Sequence, residues 1–161
     1  MNDDTPRHTR HSSTLAQGLT AEQAAHLTSL MTLRSAAAGE LLAREGEADA
    51  QLYEVVQGTL SIVKHYGTPD ETVLATLKAG DLAHELGFLD GTPRYAALVA
   101  ASEASVLMLS RAALESLIDS QPRVLYRVMC HIVAKVHAVQ TRLSMQAQEL
   151  TNYVVKQHGR Y

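Results

Sequence analysis

The residues of this 161-residue chain best suited to chemistry lie between Gly80 and Ala100. There the sequence runs Gly80-Asp81-Leu82-Ala83-His84-Glu85-Leu86-Gly87-Phe88-Leu89-Asp90-Gly91-Thr92-Pro93-Arg94-Tyr95-Ala96 and on into Ala97-Leu98-Val99-Ala100. Gly80 gives a turn, the stretch from Glu85 has room for one helical turn, and Gly91-Thr92-Pro93 makes a loop. Arg94 then stands at the entrance to a strand of small and apolar residues. Such an arrangement suits an anion. N–H groups at the start of a helix favour negative charge, and one guanidinium can hold a phosphate through two parallel hydrogen bonds. Arg94 is also the only cation between Lys78 and Arg111. Glu85, nine positions earlier, would repel the phosphate but can accept a hydrogen bond from a hydroxyl beside it. A phosphate with a neighbouring sugar hydroxyl describes a nucleotide. A plainer reading makes Glu85 and Arg94 a mutual ion pair in an empty pocket, and the residues alone leave both open.

Other chemistry finds little support. His8 and His11 are three apart but lie in a polar N-terminal stretch, and no His-x-His pair occurs anywhere in the chain. His131 and His137 are six apart, on different faces of a helix, and with Cys130 read as surface or packing residues. There is no Gly-x-Ser-x-Gly, no phosphate loop and no pair of catalytic carboxylates, so neither an enzyme nor a metal or other cofactor is expected.

The elements that must position Glu85 and Arg94 follow from the punctuation of the chain. Residues 1–14 are polar and without periodicity, and read as a disordered tail. Thr20 is a candidate N-cap for a helix with Ala24, Leu27, Leu30 and Met31 on one face. From Leu33 to about Met108, short apolar runs alternate with turn signals at Gly39, Gly46, Gly58, Gly67, Gly80, Gly91 and Ser102. The clearest strands are Leu52–Val56, Leu60–Lys64, Thr72–Leu77 and Ala96–Ala100. This is the pattern of an all-β sandwich or barrel. Ser110 caps a short helix through Ile118, and Pro122 opens a helix that runs without Gly or Pro to about Gln157. The domain division expected is a tail over 1–14, a barrel with flanking helices over 15–121, and a long helix over 122–157.

A heptad frame places Leu125, Met129, Ile132, Val136, Val139, Leu143, Gln146, Leu150 and Tyr153 on one seam of that helix, and eight of the nine are apolar. So sustained a 3.5-residue period predicts a two-stranded coiled coil, with Gln146 available to fix register. Val124, Val128 and Val133 widen the stripe in the first half, which is expected to pack on the barrel as well as to pair. The alternative is one amphipathic helix lying along its own barrel. The formal charge is −3, with eleven acidic and four basic residues between Ala38 and Glu103, so a general nucleic-acid binder is not expected. A single cysteine, no apolar run of membrane length and no leader-like N-terminus suggest a cytoplasmic protein.

The Gly80–Ala100 segment resembles the phosphate-binding cassette of the cyclic nucleotide-binding domains. Glu85-Leu86-Gly87-Phe88-Leu89 and Gly91-Thr92-Pro93-Arg94 carry the likeness, with the Glu-to-Arg spacing of the kinase-type version. Gly39-Glu40, Arg44-Glu45-Gly46, Leu52-Tyr53 and Val55-Val56-Gln57-Gly58 match the family's early barrel turns, so the resemblance covers residues 20 to about 150. It implies an antiparallel β-roll or jelly-roll barrel (a double-stranded β-helix), mainly β with flanking α, carrying an N-terminal helix and a long C-terminal dimerisation helix. It further implies that Glu85 holds a ribose 2′-hydroxyl and Arg94 a cyclic phosphate, with backbone amides around Leu86, Gly87, Tyr95 and Ala96 completing the cradle. Ile62 and Val73 are candidates for the base side, and Gln140 or Thr141 for reading the base edge. Two departures stand out: His84 where the family has Gly, as an added donor or an obstruction, and Tyr95 where it has a small or hydroxyl residue. The function implied is a stand-alone regulatory domain in signal transduction that binds a cyclic nucleotide, cyclic AMP in preference to cyclic GMP. It would signal as a homodimer to an effector protein, without DNA or membrane, since the sequence ends at Tyr161 before any recognition helix. The alternative is a dimeric scaffold that keeps the fold and has lost or changed the ligand.

Overall fold

Thr20 starts the first helix through a reciprocal cap: its hydroxyl accepts from the Gln23 N–H, and the Gln23 side chain accepts from the Thr20 N–H. Helix α1 (Ala21–Ser29) buries Leu27 but ends sooner than its apolar face suggests. Met31 opens strand β1 (Met31–Ala36) instead, paired opposite Leu109. The structure, a computed structural model, describes residues 12–158, with side chains as far as Val155. His8, His11 and most of the expected tail lie outside that range. Ser13 and Thr14 do not belong to a tail. Ser13 is buried and donates to the Glu54 carboxylate, which also accepts from the Thr14 N–H at 2.6 Å. Glu54 lies some forty positions away, so nothing local in the sequence signals this anchor. Thr14–Ala16 form one 3-10 turn, and Leu15 within it is fully buried.

Seven further strands follow β1: β2 (Leu41–Ala43), β3 (Gln51–Gln57), β4 (Leu60–Lys64), β5 (Thr72–Leu77), β6 (Leu82–Ala83), β7 (Ala97–Ala100) and β8 (Ala104–Ser110). They form two four-stranded antiparallel sheets, in the orders β1-β8-β3-β6 and β2-β7-β4-β5. All four strands read from the sequence are present. Between the sheets lie Leu42, Tyr53, Val55, Leu60, Leu98 and Val106, a core of alternating inward side chains. The β3–β4 turn at Gly58 is pressed against the backbone of Glu103 and Ala104.

Ser110 caps α3 (Arg111–Glu115), its hydroxyl accepting from the Ala113 N–H. The single helix expected through Ile118 is broken at Ser116, after which α4 (Leu117–Ser120) begins. The Ser116 hydroxyl bonds back to the Ala113 carbonyl at 2.6 Å, a local bond that competes with continuation of the helix. Pro122 opens α5 (Pro122–His158).

The first third of α5 is held by its own chain. Val124, Val128 and Ile132 are buried among Leu15, Leu27, Phe88 and Leu117, while Leu125 and Met129 pack partly against the same cluster. Ile132, expected on the pairing seam, is therefore committed to this core, because the turn at Leu15 covers that face of the helix. Val133, expected to broaden the packed stripe, is exposed. The His131 ring reaches the Leu15 carbonyl at 3.0 Å, and Lys135 donates to the Gly80 carbonyl at 2.7 Å. Val136 is half-buried, and every residue from His137 to Val155 is exposed, including Val139, Leu143, Gln146, Leu150 and Tyr153.

Candidate functional site

Helix α2 (Glu85–Asp90) and the loop that leads into β7 wrap a cavity of about 440 Å³. Its lining contains His84, Glu85, Leu86, Gly87, Arg94, Tyr95 and Ala96, together with Ile62 of β4 and Leu98 of β7. The cassette residues singled out in the sequence thus share one pocket. Gln140 and Thr141 do not: both lie on the exposed part of α5 and take no part in the lining. Val73 stands on β5, 57% exposed, and does not line the cavity either.

Arg94 is the electrostatic centre of the pocket. The residue is 5% exposed, and its guanidinium lies 4.9 Å from the Tyr53 ring centre. Its partner is neither Glu85 nor solvent. Nη2 donates to Asp49 Oδ1 at 2.6 Å, so the ion pair anticipated with Glu85 is made with Asp49 instead. Asp49 lies in the loop before β3, forty-five positions from Arg94, and the acidic composition of the whole segment hid it. Two more groups face its carboxylate. His84 Nδ1 is 3.2 Å from the same Oδ1, and the Tyr53 hydroxyl is 3.3 Å from Oδ2. Burial, with Asp49 beside it, pushes the Tyr53 phenol above its ordinary range. Arg94 Nε, by contrast, is buried without a hydrogen-bond partner.

Glu85 stands in the first turn of α2, beside the pocket. Burial pushes its carboxyl above the usual carboxylate range, and Asp81 nearby adds to the shift. A carboxylate raised by desolvation gains from a hydroxyl that donates to it. His84, just before it, adopts a left-handed backbone (φ 69°, ψ 31°), a conformation ordinarily left to glycine. Its ring turns inward: the side chain is 7% exposed, Nδ1 also approaches the Gln51 carbonyl at 3.3 Å, and Nε2 has no partner. Gly87 makes room for that ring, since a Cβ there would fall 2.1 Å from His84 Nε2 and 2.7 Å from the Thr92 carbonyl. Tyr95 is 74% exposed, its ring 4.1 Å from Lys64 Nζ.

The far end of α2 is pinned by a residue not anticipated from sequence. Arg111, at the start of α3, donates through Nε to the Phe88 carbonyl at 2.7 Å and through Nη2 to the Gly87 carbonyl at 3.3 Å. A cation beside the last carbonyls of a helix is favourable, and the Gly87 carbonyl also accepts from the Gly91 N–H at 2.9 Å. Phe88, fully buried, belongs to the same cluster as Leu117, Val124 and Ile132. The helix that walls the pocket therefore shares a core with α4 and α5.

Among the described residues, no group of three His, Cys, Asp or Glu side chains could hold a metal ion. No described helix is long and apolar enough to cross a membrane.

A family model for the cyclic nucleotide-binding domain matches residues 33–121. A solved cyclic nucleotide-binding domain from Methylobacillus flagellatus superposes with a TM-score of 0.72 at 26% identity, covering 80% of this chain and 71% of that one. The catabolite activator protein of Thermus thermophilus gives 0.66 at 25% identity, over 83% of this chain and 62% of that one. Among curated proteins, patatin-like phospholipase domain-containing protein 6 of Pongo abelii is 29% identical over 131 residues, 81% of this chain. The chain spans only 9% of that relative's length.

Proposed function

The chain belongs to the cyclic nucleotide-binding domain family, and on that premise we propose that it is a regulatory sensor domain, not an enzyme, that binds a cyclic nucleotide against Arg94. The observation that supports this most is the buried guanidinium with an unpartnered Nε, set in a cavity beside a half-buried carboxylate at the family's spacing. Arg94 takes the cyclic phosphate, Glu85 accepts from the ribose 2′-hydroxyl, and the amides of Leu86, Gly87 and Ala96 close around the anion. Ile62 and Leu98 supply an apolar wall. The phosphate competes with Asp49, which holds Nη2, for the guanidinium, and that competition lowers affinity.

The test is a thermal melt of the whole chain with cyclic AMP and cyclic GMP in parallel. Ligand at a hundred times its dissociation constant stabilises the fold by about 2.7 kcal/mol, and cyclic AMP is expected to give the larger shift. No shift with either nucleotide up to millimolar concentration overturns the proposal. That result would favour the second reading, a scaffold without a ligand, whose one specific support is that Asp49 already occupies Arg94.

The output is proposed to be a homodimer that presents the signal to an effector protein. Val139, Leu143 and Leu150 stand exposed at heptad spacing on α5, with Gln146 between them. Pairing of that face would bury side chains of about 1.5–3 kcal/mol each. Movement of α2 reaches this helix through Phe88 and Arg111. Val139→Asp together with Leu143→Asp is expected to turn a dimer into a monomer by light scattering, with circular dichroism showing the barrel intact. An unmodified chain that is monomeric at tens of micromolar overturns the dimer. A reducing, cytoplasmic setting is part of the same proposal and rests on the single, exposed Cys130.

A further inference from the structure

His84 is the least expected group in the pocket. A non-glycine residue in the left-handed region costs on the order of 1 kcal/mol, and such strain gathers where a side chain has work at a site. The imidazole has two edges with different surroundings. Nδ1 faces two acceptors, Asp49 Oδ1 at 3.2 Å and the Gln51 carbonyl at 3.3 Å, so the proton of the neutral ring sits there. Nε2 is then a bare lone pair, buried and unpartnered against Gly87 in the wall of the cavity.

Charge counting around the ring gives it a role. Arg94 and Asp49 offset each other across 2.6 Å. A phosphodiester that takes the guanidinium brings a second negative charge and frees Asp49 from its strongest partner. Asp49 then keeps only the Tyr53 hydroxyl and His84 Nδ1. The other charged or titratable groups near the ring do not relieve this: Arg111 of α3, the nearest further cation, is committed to the Phe88 and Gly87 carbonyls. Glu85 and Asp90 of α2 line the same cavity as carboxylates, Asp81 adds negative charge beside Glu85, and Glu54 of β3 is committed to Ser13 and Thr14. A proton on His84 does relieve it: the imidazolium holds Asp49 through Nδ1 and turns Nε2 into a donor aimed at the bound anion.

We infer that His84 is a ligand-contacting residue whose protonation is coupled to anion binding at Arg94. This inference rests on the pocket being the anion site proposed above. A singly charged phosphodiester does not titrate near neutral pH, so any slope in affinity belongs to the protein. As the pH rises, affinity should fall, by at most tenfold per unit for one coupled proton. Glu85 acts in the opposite sense, because its ionised form accepts the ribose hydroxyl, and its slope must be subtracted.

The experiment measures the affinity of the whole chain for cyclic AMP and cyclic GMP from pH 5.5 to 8.0, for the unmodified protein, His84→Gly and His84→Asn. Calorimetry at pH 7 in buffers of different ionisation enthalpy counts the protons exchanged. The unmodified protein should bind more tightly on acidification and take up more protons than either variant. Glycine and asparagine both tolerate the left-handed backbone, so a folding defect does not obscure the comparison. Binding with equal pH slopes and equal proton counts in all three proteins overturns the role of His84 and leaves the anion site standing. No binding of either nucleotide at any pH overturns both.

Discussion

Arg94→Ala is expected to abolish the thermal shift produced by a cyclic nucleotide while leaving the fold in place. The guanidinium is the one cation in the pocket with a free, buried N–H, and the charge-assisted bonds it offers a phosphate are the strongest contacts available there. Truncating one partner of a buried charge pair costs about 2–5 kcal/mol, which lowers affinity by roughly thirtyfold to several thousandfold. The variant also deprives Asp49 of its 2.6 Å partner, so the ligand-free protein should lose a further ~1–3 kcal/mol of stability. Circular dichroism and light scattering on the variant separate the two effects. Asp49→Asn provides the converse measurement: it removes the competing carboxylate and should tighten nucleotide binding. A nucleotide shift that survives Arg94→Ala unchanged would place the ligand elsewhere.

Gly58→Ala should be the most damaging single substitution in the barrel. The residue has φ +75°, which a Cβ disfavours by on the order of 1 kcal/mol. An added Cβ would also fall 2.1 Å from the Glu103 carbonyl oxygen and 2.8 Å from Ala104 Cα, both backbone atoms that cannot rotate aside. Forcing them apart disturbs the hairpin between β3 and β4 and the start of β8 together, at a further cost of about 1–3 kcal/mol. The expected loss of roughly 3 kcal/mol lowers the melting temperature by roughly 6–12 °C for a chain of this size. Gly39→Ala isolates the conformational share, because Gly39 has φ +86° and open space where its Cβ would go. It should lose only about 1 kcal/mol. Equal losses at the two positions would show that the contact with Glu103 is not the cause.

Local signals carried most of the fold. Thr20 and Gln23 could be read as a cap because both partners lie within one turn, and the strands could be read because alternation and glycine turns are short-range patterns. The two-residue strand β6 could not, since Leu82–Ala83 has no period of its own and is a strand only because Tyr53 and Glu54 lie opposite. The pocket divides in the same way. Glu85, Gly87 and Arg94 sit within ten residues and declared themselves by type and spacing. Asp49 did not, because its role exists only once β3 and the loop before β7 are side by side. His84 stood out in sequence as an intruder, but its inward turn needs both Asp49 and Gly87 and is a tertiary fact. On α5 the heptad pattern was legible throughout, yet it could not tell a residue covered by the same chain from one left open. Ile132 went to the first group and Leu143 to the second, with the turn at Leu15 deciding between them.

Lys135 of α5 grips the Gly80 carbonyl at the foot of the loop that leads into the pocket. From His137 the helix runs on exposed, and at 1.5 Å per residue it extends about 33 Å to its end. It is in effect a lever arm mounted on a fulcrum. A tilt of about 5° at the fulcrum, far too small to disturb the core at Ile132, would carry the tip some 3 Å, about the width of a hydrogen bond. Under the proposed signalling role, a sub-ångström adjustment beside the pocket would become a displacement that another protein surface can measure.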